Sequence, residues 1–238
     1  MAQELSLNGQ NLLKEFERLG PNVRNDLIYP YICIAGQLTV AWGHVIRDFE
    51  AHKFLDGLSV IEAKVLYKGN REAFFKKCKP LTRAQADALL REDLKDYCGY
   101  VNERLKRWNV KVAQPLFDAL VSLAYNGGPA FLDGTIKTRL IAGDIDGAIL
   151  WFPMFCLADV HRKDGTVMRN VPVTGLTLRR YSEVWLALTN QVWRIGKVRA
   201  TRDKDIEKFL SEVRRIMKMR GKESPLPYPR NEMKNQAA

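Results

Sequence analysis

The stretch Pro30-Tyr31-Ile32-Cys33-Ile34-Ala35-Gly36-Gln37-Leu38-Thr39-Val40-Ala41-Trp42-Gly43-His44 decides how this chain is read. Two short β-type runs flank an Ala35-Gly36-Gln37 turn: Ile28, Tyr29, Tyr31, Ile32 and Ile34 before it, Leu38 to Trp42 after it. β-branched and aromatic residues bounded by a Gly turn are the signature of a small hairpin. Glu17 lies just upstream, near the end of a helical pattern. A carboxylate leading into such a hairpin can stand on one side of a cleft, with small polar groups such as Cys33 and Thr39 on the other.

Outward from this segment the pattern is helical. Leu5, Leu12, Leu13, Phe16 and Leu19 share one face of an expected helix over 5–19, and Gly20-Pro21-Asn22 ends it. A second helix is expected over about 58–77, with Val60, Ala63, Leu66 and Tyr67 as its apolar positions. Thr82 followed by Gln85 reads as a capping box. From there Ala86, Leu89, Leu90, Leu94, Tyr97 and Val101 keep helical spacing across about 82–108. A helix of about 25 residues is roughly 38 Å long and could join two lobes. Pro115 opens a further helix that Gly127-Gly128 stops. Shorter helical patterns cover 135–142, 144–156 and 175–189. The expected fold is α+β and mostly α: a small N-terminal β-hairpin lobe and a C-terminal helical lobe joined by the long helix. The expected organisation is a catalytic domain over 1–189, a basic amphipathic helical extension over 190–221, and a disordered tail over 222–238.

The chain has 238 residues, 46% hydrophobic and 27% charged, as an ordinary globular protein does. No apolar run approaches the roughly 18 residues of a membrane span. The N-terminus lacks a basic start and apolar core, so no signal peptide is expected. Cys33, Cys78, Cys98 and Cys156 form no zinc-type spacing, and free thiols are the expectation. The net charge is +11, and residues from Asn190 onward carry 13 Lys/Arg against 6 Asp/Glu. Such a basic region favours polyanions: nucleic acid, an anionic membrane or an acidic wall polymer.

Five ordered blocks then carry a resemblance. Leu12-Leu13-Lys14-Glu15-Phe16-Glu17 resembles L-[IL]-K-x-F-E, and Tyr31-x-Cys33-x-x-Gly36-x-x-Thr39-Val40-x-x-Gly43-His44 resembles Y-x-D-x-x-G-x-x-T-[IV]-G-x-G-H. Leu81-Thr82-x-x-Gln85-Ala86-Asp87-Ala88-Leu89-Leu90 is similar to the start of an interlobe helix, and Phe117 through Gly128 to a cleft-lining helix. Gly175-Leu176-x-x-Arg179-Arg180-x-x-Glu183 is the fifth block. Together they resemble the phage-type lysozymes, glycoside hydrolase family 24. The resemblance implies hydrolysis of the β-1,4 bond between N-acetylmuramic acid and N-acetylglucosamine in peptidoglycan, with no cofactor and no metal. It implies Glu17 as general acid, position 33 and Thr39 as holders of the attacking water, and Tyr125 and Asn126 as substrate-binding residues. It further implies a monomer with peptidoglycan as partner and no nucleic acid, held in the host cytoplasm until release to the wall. The basic C-terminal region offers contact with an anionic wall or membrane surface.

The residues also leave alternatives. A carboxyl half-buried against apolar neighbours stays protonated near neutral pH and can act as a general acid. Glu15 competes with Glu17 for that role. Fifteen residues separate Glu17 from Cys33, more than is usual in the family, so 20–26 must loop out, and Asp26 is a reserve carboxylate. Cys33 stands where the family usually has Asp. It can orient a water, keeping inverting geometry with groups roughly 6.5–9.5 Å apart, or it can attack the anomeric carbon as a thiolate. An ordinary thiol ionises near pH 8.5, which predicts an optimum above that of an Asp-containing relative. His44 reads as a structural hydrogen-bonding partner. Arg179 and Arg180 read either as partners of nearby carboxylates or as solvated charges. Rival functions are a virion component that opens the wall at entry, and a degenerate relative that binds glycan without cutting it.

Overall fold

The computed structural model describes residues 2–17, 19–33, 36–161, 167–192 and 203–221. The expected disordered tail over 222–238, and Ile34 and Ala35 of the expected turn, lie outside them. The chain divides into two compact units, one formed by Lys14–Asp96 and the other by Met1–Leu13 with Tyr97–Ala238. The fold is α+β and mostly helical, as the sequence predicts.

Helix α1 runs over Leu7–Phe16, shorter than the expected 5–19. Glu17 therefore lies just past its end rather than inside it. Lys14 in the last turn bonds to Asp87 at 2.9 Å, and the Trp42 indole N–H donates to the same carboxylate at 2.8 Å. These ties fix the helix end that presents Glu17.

The segment expected to loop out is itself ordered. β1 (Val23–Arg24) pairs antiparallel with β2 (Leu27–Ile28). Asn25 and Asp26 link them with φ of 47° and 61°. Two successive left-handed residues make a type I′ turn, whose twist suits a tight hairpin, and Asn and Asp tolerate it. Ile28 is buried at the base and exchanges two backbone hydrogen bonds with Leu81, at 2.8 and 2.9 Å.

The expected single run from Ile28 to Ile34 is split by Pro30. A proline has no N–H for a ladder, so β2 and β3 (Tyr31–Ile32) belong to different sheets. β3 pairs with β4 (Leu38–Val40), and β4 with β5 (His44–Val45), in an antiparallel three-stranded sheet of order β3-β4-β5. The register sets Tyr31 opposite Thr39 and Val40 opposite His44. All three residues of β4 are buried.

A 3₁₀ turn (Asp48–Glu50) leads into α2 (Ala51–Phe54). The helix expected over 58–77 is two helices, α3 (Val60–Gly69) and α4 (Arg71–Lys76). Asn70 leaves the helical conformation and caps the second by accepting from the Ala73 N–H at 3.0 Å. An Asn competes for backbone hydrogen bonds in this way and favours caps over helix interiors. α5 (Arg83–Arg107) begins at the expected capping box. The Thr82 N–H donates to the Gln85 side chain at 2.8 Å, and the Gln85 N–H to the Thr82 hydroxyl at 3.2 Å.

In the other unit, α6 (Gln114–Gly127) carries Pro115 in its first turn. Residues 116–124 are all buried, Asp118 and Ser122 among them. α7 (Thr135–Ile141) and α8 (Ile145–Leu150) follow. The pattern expected over 144–156 changes to a 3₁₀ segment (Phe152–Cys156) that carries Pro153 in its first turn. β6 (Leu157–His161) and β7 (Val167–Pro172) then form an antiparallel hairpin that the helical reading missed. Asp164-Gly165 between the two strands was the available signal. α9 (Thr174–Thr189) packs on α6, and α10 (Asp203–Met219) packs on α9. Val213 and Met217 of α10 are fully buried, and Arg220 bonds to Asp146 and to the Leu188 carbonyl, both at 3.0 Å.

Ala41, between β4 and β5, has φ of 54° and is buried. A side chain in the left-handed region costs about 1–2 kcal/mol, part of which glycine returns through its freer unfolded chain. Ala41→Gly is expected to stabilise the protein by about 0.5–1 kcal/mol, read as a rise in the urea midpoint. A lower midpoint would show that the Ala41 methyl contributes more by packing than it costs in strain.

Candidate active site

Gln37 organises the β segment through its backbone carbonyl. It accepts the Cys33 N–H at 2.9 Å and the Thr39 hydroxyl at 3.1 Å. The Cys33 carbonyl in turn accepts the Gly36 N–H at 2.9 Å. Gly36 has φ of 73°, which a side chain would strain. The thiol and the hydroxyl are thus carried on one hydrogen-bonded loop. Thr39 is buried and gives its proton to Gln37, so towards any further partner its oxygen acts as an acceptor.

Tyr31 links this loop to Glu17. Its phenol is pushed above the ordinary tyrosine value, first by burial, then by the negative charge of Cys33 and of Glu17. Both groups are therefore within electrostatic reach of one hydroxyl. Tyr31 is also the register partner of Thr39. Gly20, with φ of 78°, lies flat against the ring: a Cβ there would come within 2.3 Å of it. The chain after Glu17 is thereby pressed onto Tyr31. Glu17 and Cys33 are each half-buried. Asp26 sits exposed at the β1–β2 turn. The reserve carboxylate is thus a turn residue.

The other unit holds Tyr125 and Asn126 at the end of α6. The Tyr125 ring packs edge-on against Tyr97, with centroids 5.0 Å apart. Asn126 is exposed, and its side-chain oxygen accepts from Arg180 Nη2. Arg180 is buried, as are Arg179 and Glu183. The reading of these arginines as solvated charges fails. Arg180 Nη1 lies 3.0 Å and Arg179 Nε 3.4 Å from the Glu183 carboxylate, which also accepts the Ser122 hydroxyl at 2.7 Å. A charge held out of water requires such pairing. Gly127 is packed against Phe131, where a Cβ would collide at 2.1 Å, and Gly128 (φ 88°) ends the helix.

A family model of phage lysozymes matches residues 27–183. The chain belongs to the phage lysozyme family. The matched residues begin downstream of Glu17. Two relatives are endolysins. That of Acyrthosiphon pisum secondary endosymbiont phage 1 is 28% identical over 75% of this chain and 94% of its own length. That of Bacillus phage B103 is 35% identical over 81% of this chain, which spans only 57% of that longer protein. Among solved structures, the endolysin from Escherichia coli O157:H7 phage FAHEc1 superposes with a TM-score of 0.54 at 27% identity, covering 81% of this chain and 98% of that one. As a member of this family the protein is a glycoside hydrolase of the lysozyme type.

In the basic helix α10, Val213 and Met217 are buried, while Lys208, Arg214, Arg215 and Lys218 are exposed. Among the described residues, no helix is long and apolar enough to cross a membrane, and no group of three or more acidic, His or Cys side chains is arranged to hold a metal ion.

His44 is the third feature of the β unit. Its Nδ1 lies 2.9 Å from Asp93 and its Nε2 3.1 Å from the buried Glu50. Burial alone would lower its pKa, but the hydrogen bond and charge of Asp93, then of Glu50, carry it above the ordinary value. A raised folded-state value means that the imidazolium stabilises the fold. That contribution is full below about pH 6.5 and fades as the pH rises through the raised value. His44→Gln is therefore expected to destabilise the protein most at acid pH and to flatten the fall in urea midpoint as the pH rises above about 6.5. Parallel midpoint curves for the two proteins would show that His44 is neutral throughout.

Proposed function

We propose that this protein is an endolysin that cleaves the β-1,4 bond between N-acetylmuramic acid and N-acetylglucosamine, with Glu17 as general acid and a water held by Cys33 and Thr39. The observation that carries the reading is the Gln37 carbonyl, which accepts both the Cys33 N–H and the Thr39 hydroxyl and so holds the two side chains on one loop beside Tyr31, the register partner of Thr39. The endolysins among its relatives support lysis as the biological outcome.

Glu17 protonates the glycosidic oxygen as the bond to the anomeric carbon breaks. The Cys33 thiolate takes one proton from the attacking water as the water's oxygen bonds to the anomeric carbon, and exchange with solvent returns Glu17 and Cys33 to their starting protonation states. Thr39 suits the holding of that water because its own proton is committed to Gln37, so its oxygen takes a hydrogen bond from the water and turns the water's lone pair outward. Cys33 acts as a second acceptor and not as a covalent nucleophile.

Glu17→Gln is expected to lower lysis of outer-membrane-permeabilised Gram-negative cells by at least about 100-fold, with an unchanged melting temperature. Full lysis by this variant would mean that another carboxylate is the acid, and an inactive wild type would favour a glycan binder. Cys33→Ser keeps an acceptor and is expected to retain measurable turnover. Cys33→Asp is expected to move the pH–rate profile towards acid, because carboxyls ionise about four units below thiols. A glycosylated Cys33 trapped by mass spectrometry, together with complete inactivity of the serine variant, would establish covalent catalysis instead.

The exposed cations of α10 supply electrostatic attraction to an anionic wall. Arg214→Glu with Lys218→Glu is expected to reduce retention on intact wall at low salt while leaving cleavage of soluble fragments unchanged. Equal retention at all salt concentrations would remove α10 from substrate contact.

A further inference from the structure

The end of α6 carries an arrangement that fixes the hydrogen-bonding sense of one exposed side chain. Asn126 is a rotatable amide with an acceptor and a donor end. Arg180 can only donate, since a guanidinium has no acceptor. Its Nη2 faces Asn126, so the amide oxygen must be the end turned towards the protein. The NH2 end is then the one left to face outward.

Arg180 cannot readily yield this geometry. It is buried with 0% exposure, and its Nη1 is 3.0 Å from Glu183. Glu183 is itself held by Arg179 at 3.4 Å and by the Ser122 hydroxyl at 2.7 Å. The backbone under Asn126 is equally constrained, because Gly127 packs against Phe131 and Gly128 stops the helix.

We propose that Arg180 is a positioning residue that locks Asn126 as a hydrogen-bond donor, making the end of α6 a subsite for an acceptor oxygen of the glycan, such as an N-acetyl carbonyl. The inference rests on the lysozyme reading for its ligand class. The chemistry favours an acetamido carbonyl, a strong neutral acceptor present on each sugar of the polymer. A preset donor meets it without first losing rotational freedom. A freely rotating Asn would satisfy hydroxyl, carbonyl or N–H groups alike and would select nothing.

The test uses the full chain labelled with nitrogen-15 and a β-1,4-linked N-acetylglucosamine tetramer as probe. The Asn126 side-chain NH2 resonance is expected to shift saturably with the tetramer. Asn126→Asp keeps an oxygen for Arg180 but replaces the outward donor by an acceptor. It is expected to melt no lower than wild type, to bind the tetramer roughly 3- to 10-fold more weakly, the range of one hydrogen bond, and to raise KM on solubilised peptidoglycan by a similar factor with kcat within about twofold. Wild-type binding and KM in this variant would overturn the proposal.

Arg180→Lys keeps a cation for Glu183 but loses the planar fork. It is expected to raise KM several-fold in the wild-type background and not at all in an Asn126→Ala background. An equal rise in both would show that Arg180 acts on the fold alone and would overturn the relay. Should the lysine variant fail to fold, Asn126→Asp decides by itself. A wild type that cleaves no peptidoglycan, yet whose Asn126 amide still responds to the tetramer, would refute the proposed hydrolysis and support this subsite.

Discussion

A charged group withdrawn from water must be met by an opposite charge or a set of hydrogen bonds, and each unit of this protein is arranged round one such requirement. In the helical unit it is Glu183, reached by Arg179, Arg180 and Ser122. In the β unit it is Glu50, reached by His44, which Asp93 holds from the other side. Removing one partner of a buried pair strands the other at a cost of about 3–5 kcal/mol. The relation of α6 to α9, and of β5 to α5, is therefore set by charge as much as by apolar packing. Two residues of the candidate site hang from these fixed points: Asn126 from Arg180, and Thr39 from the strand that pairs with β5.

The chemistry of position 33 is best understood from its backbone. The loop is closed by the Cys33 N–H, the Cys33 carbonyl and the Gln37 carbonyl, none of which belongs to a side chain. A change of side chain at this position leaves that frame in place. The loop can thus hold a thiol or a carboxylate at position 33 without being rebuilt around it. What changes is the acidity of the group, which is a matter of pH profile and not of architecture.

The parts of the fold that were legible in the sequence are those governed by local rules. The Thr82–Gln85 capping box, the Pro115 helix start and the Gly128 stop each follow from one or two residues. The β6–β7 hairpin was missed because its strands carry Asp159, Arg169 and Asn170 and lack a clean apolar alternation. The split at Asn70 was missed because an apolar helical pattern continues through it. In the candidate site, Glu17, Cys33 and Thr39 are singled out by an ordered motif, whereas the place of Tyr31 between them emerges only in the structure. Its significance comes from the close approach of Gly20 and from the charges of Cys33 and Glu17, at separations of 11, 2 and 14 residues that no local pattern reports. Pairing of Arg179 and Arg180 with a carboxylate was one of two readings the sequence left open, and the packing of α9 on α6 decides for it.

The β1–β2 hairpin has a consequence for how this lineage can vary. Its turn is satisfied by its own two residues, and its base is stitched to Leu81 by a reciprocal pair of backbone bonds. Chain added or removed above that stitch enters and leaves at the same two points. The contour length between Glu17 and Cys33 is thereby uncoupled from their surroundings. Natural insertions can accumulate there as neutral drift, and a foreign loop or affinity peptide grafted at Asn25-Asp26 has a ready-made socket.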